Sequence, residues 1–357
     1  MHELSLLSQI KGCFSGIWIG DAMGMPWETM SHRKILALTE GNGVVGFCDP
    51  VQRRIPDTMN LHAGDTTDDW QYATALARSL IRCRGYDQMD CGREFVNEFR
   101  RSAFGCGSTT RKAMEELGDF FDSNGTRGRS PLIGAQDNAN RKCTNGVAMR
   151  IAPLAVSQAL KDALRYEPLA ILVMNHGAMT HPDVRSSFAA FAIAIVINWV
   201  LRDARVYGSI NDSDRTVNDF ARILRFQVWR YIKWAETRWE CQENDEMNLS
   251  TILQGLWDEE VMKDAQKVRE LFGTSHSALH SIPFALATFF RHPTDFRSGI
   301  LEAINADGDT DTNAAIVGAM IGANCGVEAI PKEWRNFRPD KQEEACDLAE
   351  QLYHVVY

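Results

Sequence analysis

Two short acidic clusters constrain most tightly how this chain can fold. The first is Thr67-Asp68-Asp69, inside Gly64-Asp65-Thr66-Thr67-Asp68-Asp69-Trp70-Gln71. The second is Asp307-Gly308-Asp309-Thr310-Asp311-Thr312-Asn313, close to the other end of the chain. Each is followed by an apolar stretch of helical character, and each sets carboxylates and threonine hydroxyls side by side. Hard divalent cations take that ligand set, with waters completing the shell. Together with Glu28, the clusters hold five carboxylates: Glu28, Asp68, Asp69, Asp309 and Asp311. A charge of minus five in one pocket would repel severely, and two divalent cations would nearly cancel it. Either the clusters lie apart and merely begin helices, where Thr and Asp are ordinary capping and first-turn residues, or they lie together and bind metal.

The rest of the composition narrows the class. At 357 residues, 45% of them hydrophobic, the chain can bury a large core. A net charge of -9 argues against nonspecific binding to nucleic acid, because a phosphate backbone attracts basic surfaces. Nine cysteines occur at irregular spacing with no CxxC pair. With no cationic leader at the N-terminus, that reads as free thiols in a cytoplasmic protein. The apolar run Phe188 to Leu201 contains Asn198 and is too short to span a bilayer, so it reads as a buried core helix and not as a membrane segment.

Helical signals dominate, and no Pro/Gly/Ser linker divides the chain. One all-α, compact multi-helix domain over residues 1–357 is expected. Residues 3–19 carry apolar groups at helical spacing, with Gly12, Gly16 and Gly20 four apart. Gly24 and Pro26 then break the helix and leave Asp21 and Glu28 beyond its end. A helix begins at the first acidic cluster, with Thr66 or Thr67 as its cap. Further helices are predicted over 111–117, 151–160, 166–174, 184–201, 220–240, 279–290 (interrupted at Pro283), 314–323 and 340–355. Thr180 or Asp183 would cap the one that starts at 184. Residues 205–275 differ in character, being charged and rich in tryptophan (Trp229, Trp234, Trp239, Trp257). Ile223, Phe226, Trp229 and Trp234 suggest one apolar helix face, either core or a docking surface for a protein partner such as a toxin.

The second cluster resembles several known loops and fails to match them. A calcium loop would need Gly where Thr312 stands and Glu where Gly318 stands. A phosphatase-type Asp-x-Asp-x-Thr would need a buried strand before it, for which Leu301 to Ala306 is a weak candidate. An isoprenoid-synthase motif would need Asp-Asp-x-x-Asp, and the chain has Asp68-Asp69-Trp70-Gln71-Tyr72.

One resemblance extends from Gly12 to about Trp334. Gly20-Asp21-Ala22-Met23-Gly24 with Glu28, Thr67-Asp68-Asp69, Gly105-Cys106-Gly107-Ser108-Thr109-Thr110, Asn145-Gly146-Val147-Ala148-Met149-Arg150, Thr180-His181 and Gly308-Asp309-Thr310-Asp311-Thr312 are together similar to the ADP-ribosylglycohydrolase family. The resemblance implies an all-α fold with two Mg2+ or Mn2+ ions at the substrate ribose. One ion would be held by Thr67, Asp68 and Asp69, the other by Asp309 and Thr312, with Asp311 bridging. Glu28, Asp68 or Asp69 would be the general base. Asn145, Gly146, Val147, Met149 and His181 would line an ADP-ribose pocket. An ADP-ribosylated protein, modified on arginine, would be the substrate. A non-catalytic ADP-ribose-binding protein, or an immunity-type protein that neutralises a toxin, is the alternative on the same fold. Two departures stand out: Asp307 precedes Gly308 where relatives commonly have a second glycine, and Trp70 follows the first triplet where a small Thr is common. Both could reshape the pocket mouth.

Overall fold

A computed structural model of the protein describes residues 5–50, 60–102, 104–133, 142–161, 166–206, 217–239 and 248–356. Among these residues there are α-helices and short 3-10 turns but no strand. A lone bridge joins Thr144 to Ser277. The first nine helices are α1 (Leu6–Gly24), α2 (His32–Leu38), α3 (Asp68–Cys83), α4 (Gln88–Arg101), α5 (Ser108–Asp122), α6 (Ala152–Leu160), α7 (Tyr166–Ala178), α8 (Val184–Val206) and α9 (Val217–Arg238). They are followed by α10 (Leu249–Ile252), α11 (Glu259–Met262), α12 (Ala265–Phe272), α13 (Ala278–Arg291), α14 (Phe296–Ile304), α15 (Thr310–Cys325), α16 (Lys332–Arg335) and α17 (Pro339–Val356). A single hydrophobic cluster draws on helices from both ends of the chain.

The organising contact is between α1 and α15. A methyl group at Gly12 would lie 2.3 Å from the Gly322 carbonyl oxygen, at Gly16 2.0 Å from that of Gly318, at Gly20 2.2 Å from that of Ala314, and at Gly24 2.4 Å from that of Thr310. The two helices are therefore antiparallel and touch backbone to backbone along their length. Only residues without a side chain permit that approach. The helix predicted to break near residue 21 instead runs to Gly24, because its glycines face α15. The seam sets the C-terminus of α1 beside the N-terminus of α15, and so brings two remote parts of the sequence together.

Other expectations are revised. The stretch Val184–Arg202 is longer than the apolar run suggested and is long and apolar enough to cross a membrane, but 83% of it is buried inside the protein. It is the core helix on which α6, α7 and α13 pack. Helix α13 runs through Pro283, which is buried, without interruption. Residues 301–304 belong to α14, so the strand that a phosphatase reading requires is not formed. On α9 the buried stripe is Ala221, Leu224, Val228, Ile232 and Ala235, while Ile223 and Phe226 are exposed. Trp229, Trp234 and Trp239 pack at the edge of the core. The parts of the tryptophan-rich segment at 207–216 and 240–247 lie outside the described residues.

Candidate active site

The site forms where α1, α3 and α15 meet. Asp21, in the last turn of α1 and fully buried, accepts the backbone N–H of Thr67 (3.0 Å) and of Trp70 (3.0 Å). It thereby caps α3 from another helix. Thr67 occupies the capping position of α3, but its own side chain does not cap. Its Oγ1 lies 2.9 Å from Asp21 Oδ1 and 3.1 Å from Asp69 Oδ2. A hydroxyl has one hydrogen, so it satisfies only one of these carboxylates at a time. The other oxygen of Asp69 is buried with no hydrogen-bond partner.

The second cluster is fixed by different means. Thr310 Oγ1 donates to the Gly24 carbonyl (2.8 Å), and the Asp309 N–H donates to the Thr274 carbonyl (2.9 Å). The Thr312 N–H donates to Asp311 Oδ1 (3.0 Å). Asn145 Nδ2 donates to Asp309 Oδ2 (2.7 Å) and lies 3.1 Å from Ser281 Oγ. Glu28 enters on a tight turn closed by the Met30 N–H to the Trp27 carbonyl (3.0 Å). The turn is pinned by the Thr29 N–H to the Gly308 carbonyl (2.6 Å).

The clusters are together. Asp68, Asp69, Asp309, Asp311, Thr312 and Glu28 line one cavity of about 290 Å³. One ligand oxygen from each of Glu28, Asp309 and Asp311 lies within 4.8 Å of the others. Taken as protein groups alone, the carboxylates resist charging. Burial, then the negative charges of Asp21, Asp309 and Glu28, push Asp68 up to about 8. Burial and the same neighbourhood raise Asp69 and Asp311 well above the usual carboxylate range. Asp21 rises to about 6 through burial, opposed by its hydrogen bonds from Thr67 and Trp70. A buried carboxylate oxygen without a donor, among carboxylates that repel one another, fits a divalent cation. Thr67, Asp68 and Asp69 on one side, and Asp309, Asp311 and Thr312 on the other, are the residues that could hold such ions.

The remaining wall comes from three loops. The N-terminus of α5 supplies Ser108, Thr109 and Thr110 behind Gly105 and Gly107. Gly105 has φ +77°, and a methyl there would lie 2.6 Å from Asp68 Oδ1, so only glycine lets this loop close over the carboxylate. Lys142, Thr144, Asn145, Gly146 and Met149 come from the 142–149 segment, which is tied to the 274–278 segment by the Asn145 N–H to the His276 carbonyl (3.1 Å). His181 and His276 complete the lining. Of the residues expected here, Val147 is fully buried and does not line the cavity. Asn145 lines it while spending its amide on Asp309 and Ser281. Trp70 is 1% exposed, with its indole Nε1 3.3 Å from Glu344 Oε2 on α17, so it does not shape the mouth. The sequence reading gave no role to Asp21, Arg150, Lys142 or His276. Asp21 and Arg150 lie in motifs that drew attention for their neighbours, whereas nothing local marks the other two.

Such a fold and cavity define a class: an all-α protein with an acidic, cation-fitting centre. The ADP-ribosylglycohydrolase family model matches residues 2–357. The chain is 25% identical over 376 residues to the ADP-ribosylhydrolase ARH3 of Bos taurus, covering 98% of this chain and 93% of that protein. It is 23% identical over 332 residues to the ADP-ribosyl-dinitrogen reductase glycohydrolase of Rhodospirillum rubrum, covering 92% and 90%. A solved structure described as an ADP-ribosylglycohydrolase-related protein complex shares the fold, with a TM-score of 0.66, 22% identity and 99% of each chain covered. The chain belongs to the ADP-ribosylglycohydrolase family and is a glycohydrolase.

The departure at Asp307 has a physical account. This residue has φ 147°, a region that favours glycine. The Thr274 hydroxyl donates to its carboxylate, which offsets the strain locally.

Proposed function

We propose that the protein hydrolyses the N- or O-glycosidic bond between ADP-ribose and a modified protein side chain, with arginine as the side chain restored, and so reverses mono-ADP-ribosylation. The convergence of Glu28, Asp68, Asp69, Asp309 and Asp311 on one cavity carries this reading. Two Mg2+ or Mn2+ ions would be held by Thr67, Asp68 and Asp69 and by Asp309, Asp311 and Thr312, with Asp311 shared. When bound, such cations polarise sugar hydroxyls and lower the pKa of water.

The chain's own groups do the rest. Glu28 sits half-buried on a turn at the cavity, with a carboxylate oxygen within 4.8 Å of ligand oxygens of Asp309 and Asp311, which suits it to take the proton of the attacking water as general base. The first turn of α3, held by Asp21 at the Thr67 and Trp70 N–H groups, keeps Asp68 and Asp69 in place while charge develops on the ribose. Asn145 holds Asp309 in place. The carbon–nitrogen bond breaks through an oxocarbenium-like state, and its electrons go to the guanidinium nitrogen, which leaves as neutral guanidine and takes up the proton that Glu28 removed from water.

The test is a panel of proteins carrying ADP-ribose on arginine, on serine or at a nucleic-acid end, assayed with Mg2+, with Mn2+ and with chelator. Release from arginine alone, lost with chelator and in Asp311→Ala, is expected. Release only from serine would overturn the arginine assignment. Release from no linkage would leave a binding protein on this fold.

A further inference from the structure

Arg150 is fully buried, and among the described residues no carboxylate bonds to it. Its guanidinium lies 4.8 Å from the centre of the Phe95 ring and 5.7 Å from that of Tyr72. Its Nη1 has no hydrogen-bond partner. Burying a guanidinium on these terms is costly, which directs attention to what its other nitrogens do. Nη2 donates to Thr180 Oγ1 at 2.6 Å, and Nε donates to His176 Nε2 at 3.2 Å.

A guanidinium only donates. Thr180 Oγ1 therefore receives a hydrogen from Arg150 and must direct its own hydrogen elsewhere. Among the described residues the one other hydrogen-bond neighbour of this hydroxyl is His181 Nδ1, at 2.8 Å. The hydroxyl hydrogen is satisfied there only if His181 Nδ1 accepts it, which puts the single ring proton of His181 on Nε2. His181 lines the cavity, against Gly146, where a methyl would lie 2.9 Å from Nε2. The same reasoning gives His176 the opposite tautomer: its Nε2 accepts from Arg150, so Nδ1 carries the proton, 3.5 Å from Tyr86 Oη. Burial, and then the Arg150 charge, keep His181 neutral by lowering it to about 3. An imidazolium therefore does not compete.

We infer that Arg150 is a positioning residue that acts through Thr180, setting the tautomer of His181 so that an Nε2–H donor is presented to an oxygen acceptor of the bound ADP-ribose. The ligand half of this inference rests on the proposed function; the tautomer half does not.

The experiment exploits that separation. Histidine-labelled protein is examined by nitrogen NMR without ligand at neutral pH, with the His181 signals identified by their loss in His181→Gln. The Nε2–H tautomer is expected in the wild type and in Thr180→Ser, and its loss or mixing in Thr180→Val, which keeps the shape of the side chain and removes the hydroxyl. ADP-ribose titrated with Mg2+ should bind Thr180→Val about tenfold more weakly, the equivalent of one hydrogen bond. Thr180→Ser should bind as the wild type does. A wild-type His181 found as the Nδ1–H form or as the cation, or a tautomer unchanged in Thr180→Val, overturns the relay. The expected tautomers with unchanged ADP-ribose binding overturn the ligand half alone. Failure to hydrolyse any ADP-ribosyl linkage would bear on the proposed function and leave the relay standing.

Discussion

The two acidic helix starts carry similar residues and are held in unlike ways. The start of α3 is fixed by a side chain from elsewhere: Asp21 caps it, and Gly105 lets a loop close over Asp68. The start of α15 is fixed by backbone: it lies against α1 through glycines on both helices and bonds to the Gly24 and Thr274 carbonyls. One helix, α1, serves both arrangements. Its glycine face seats α15, and its final turn seats α3. The spacing of the carboxylates is therefore set by a rigid scaffold and not by the carboxylates, which repel one another.

That contrast can be broken at several points. Removing a central cavity carboxylate should have the largest effect, and on chemistry alone. Asp311→Ala is expected to lower kcat/KM by about 10^3-fold, while thermal unfolding without metal is unchanged or shifted upward because repulsion is relieved. A lower melting temperature would show that the carboxylate supports the fold. Next comes the seam. Gly16→Ala places a methyl 2.0 Å from a backbone oxygen and should cost about 3 kcal/mol. Gly46→Ala, with open space around it, should be close to neutral in denaturant unfolding. Equal midpoints for the two would refute the idea that backbone contact holds α15.

Asp21→Asn probes the other anchor. The buried amide cannot accept from all of the donors that now point at Asp21, and a loss of about 2 kcal/mol is expected. Mg2+ binding, followed by calorimetry, should weaken as well. A variant as stable as the parent would mean that α3 caps itself.

The pH profile separates scaffold from charge. Asp68 is held near 8 and Asp21 near 6, whereas an unfolded aspartate titrates near ~4. Between those values the folded chain keeps protons that the unfolded chain has released. The stability these groups contribute is thus complete at low pH and is lost as pH rises through 6 and 8. In chelator, melting temperature should fall from pH 5 to pH 8, and Mg2+ should flatten the slope. A flat profile in chelator would show that the carboxylates are not crowded. The smallest effect is expected at Asp307→Gly, which removes backbone strain and the Thr274 hydrogen bond together and should change stability by less than about 1 kcal/mol.

Much of this was legible from residue order. Apolar periodicity located most helices, and the Thr-Asp-Asp and Asp-x-Asp-Thr groups, with Glu28, mark the cavity carboxylates in the sequence. Misreadings had local causes. Gly24 looks like a breaker, yet α1 runs through Asp21 to Gly24, because close contact with α15 rewards the absence of a side chain. Ile223 and Phe226 look like a buried stripe, whereas burial falls on Leu224, Val228 and Ile232, offset around the helix. Periodicity reports that a face exists; it does not report which neighbour covers it. Trp70 seemed placed to alter the pocket, but it turns toward Glu344 of α17.

The chain's sequence alone determined the helical class, the acidic residues that line the cavity and the likeness to one family, because these depend on residue types at short spacing. Only the tertiary structure decided that Asp21 caps a remote helix, that Asn145 serves Asp309, and that Arg150 reaches His181 through Thr180. Each depends on the direction of a side chain across a packed interface. Sequence spacing carries no record of that direction until the helices are in contact.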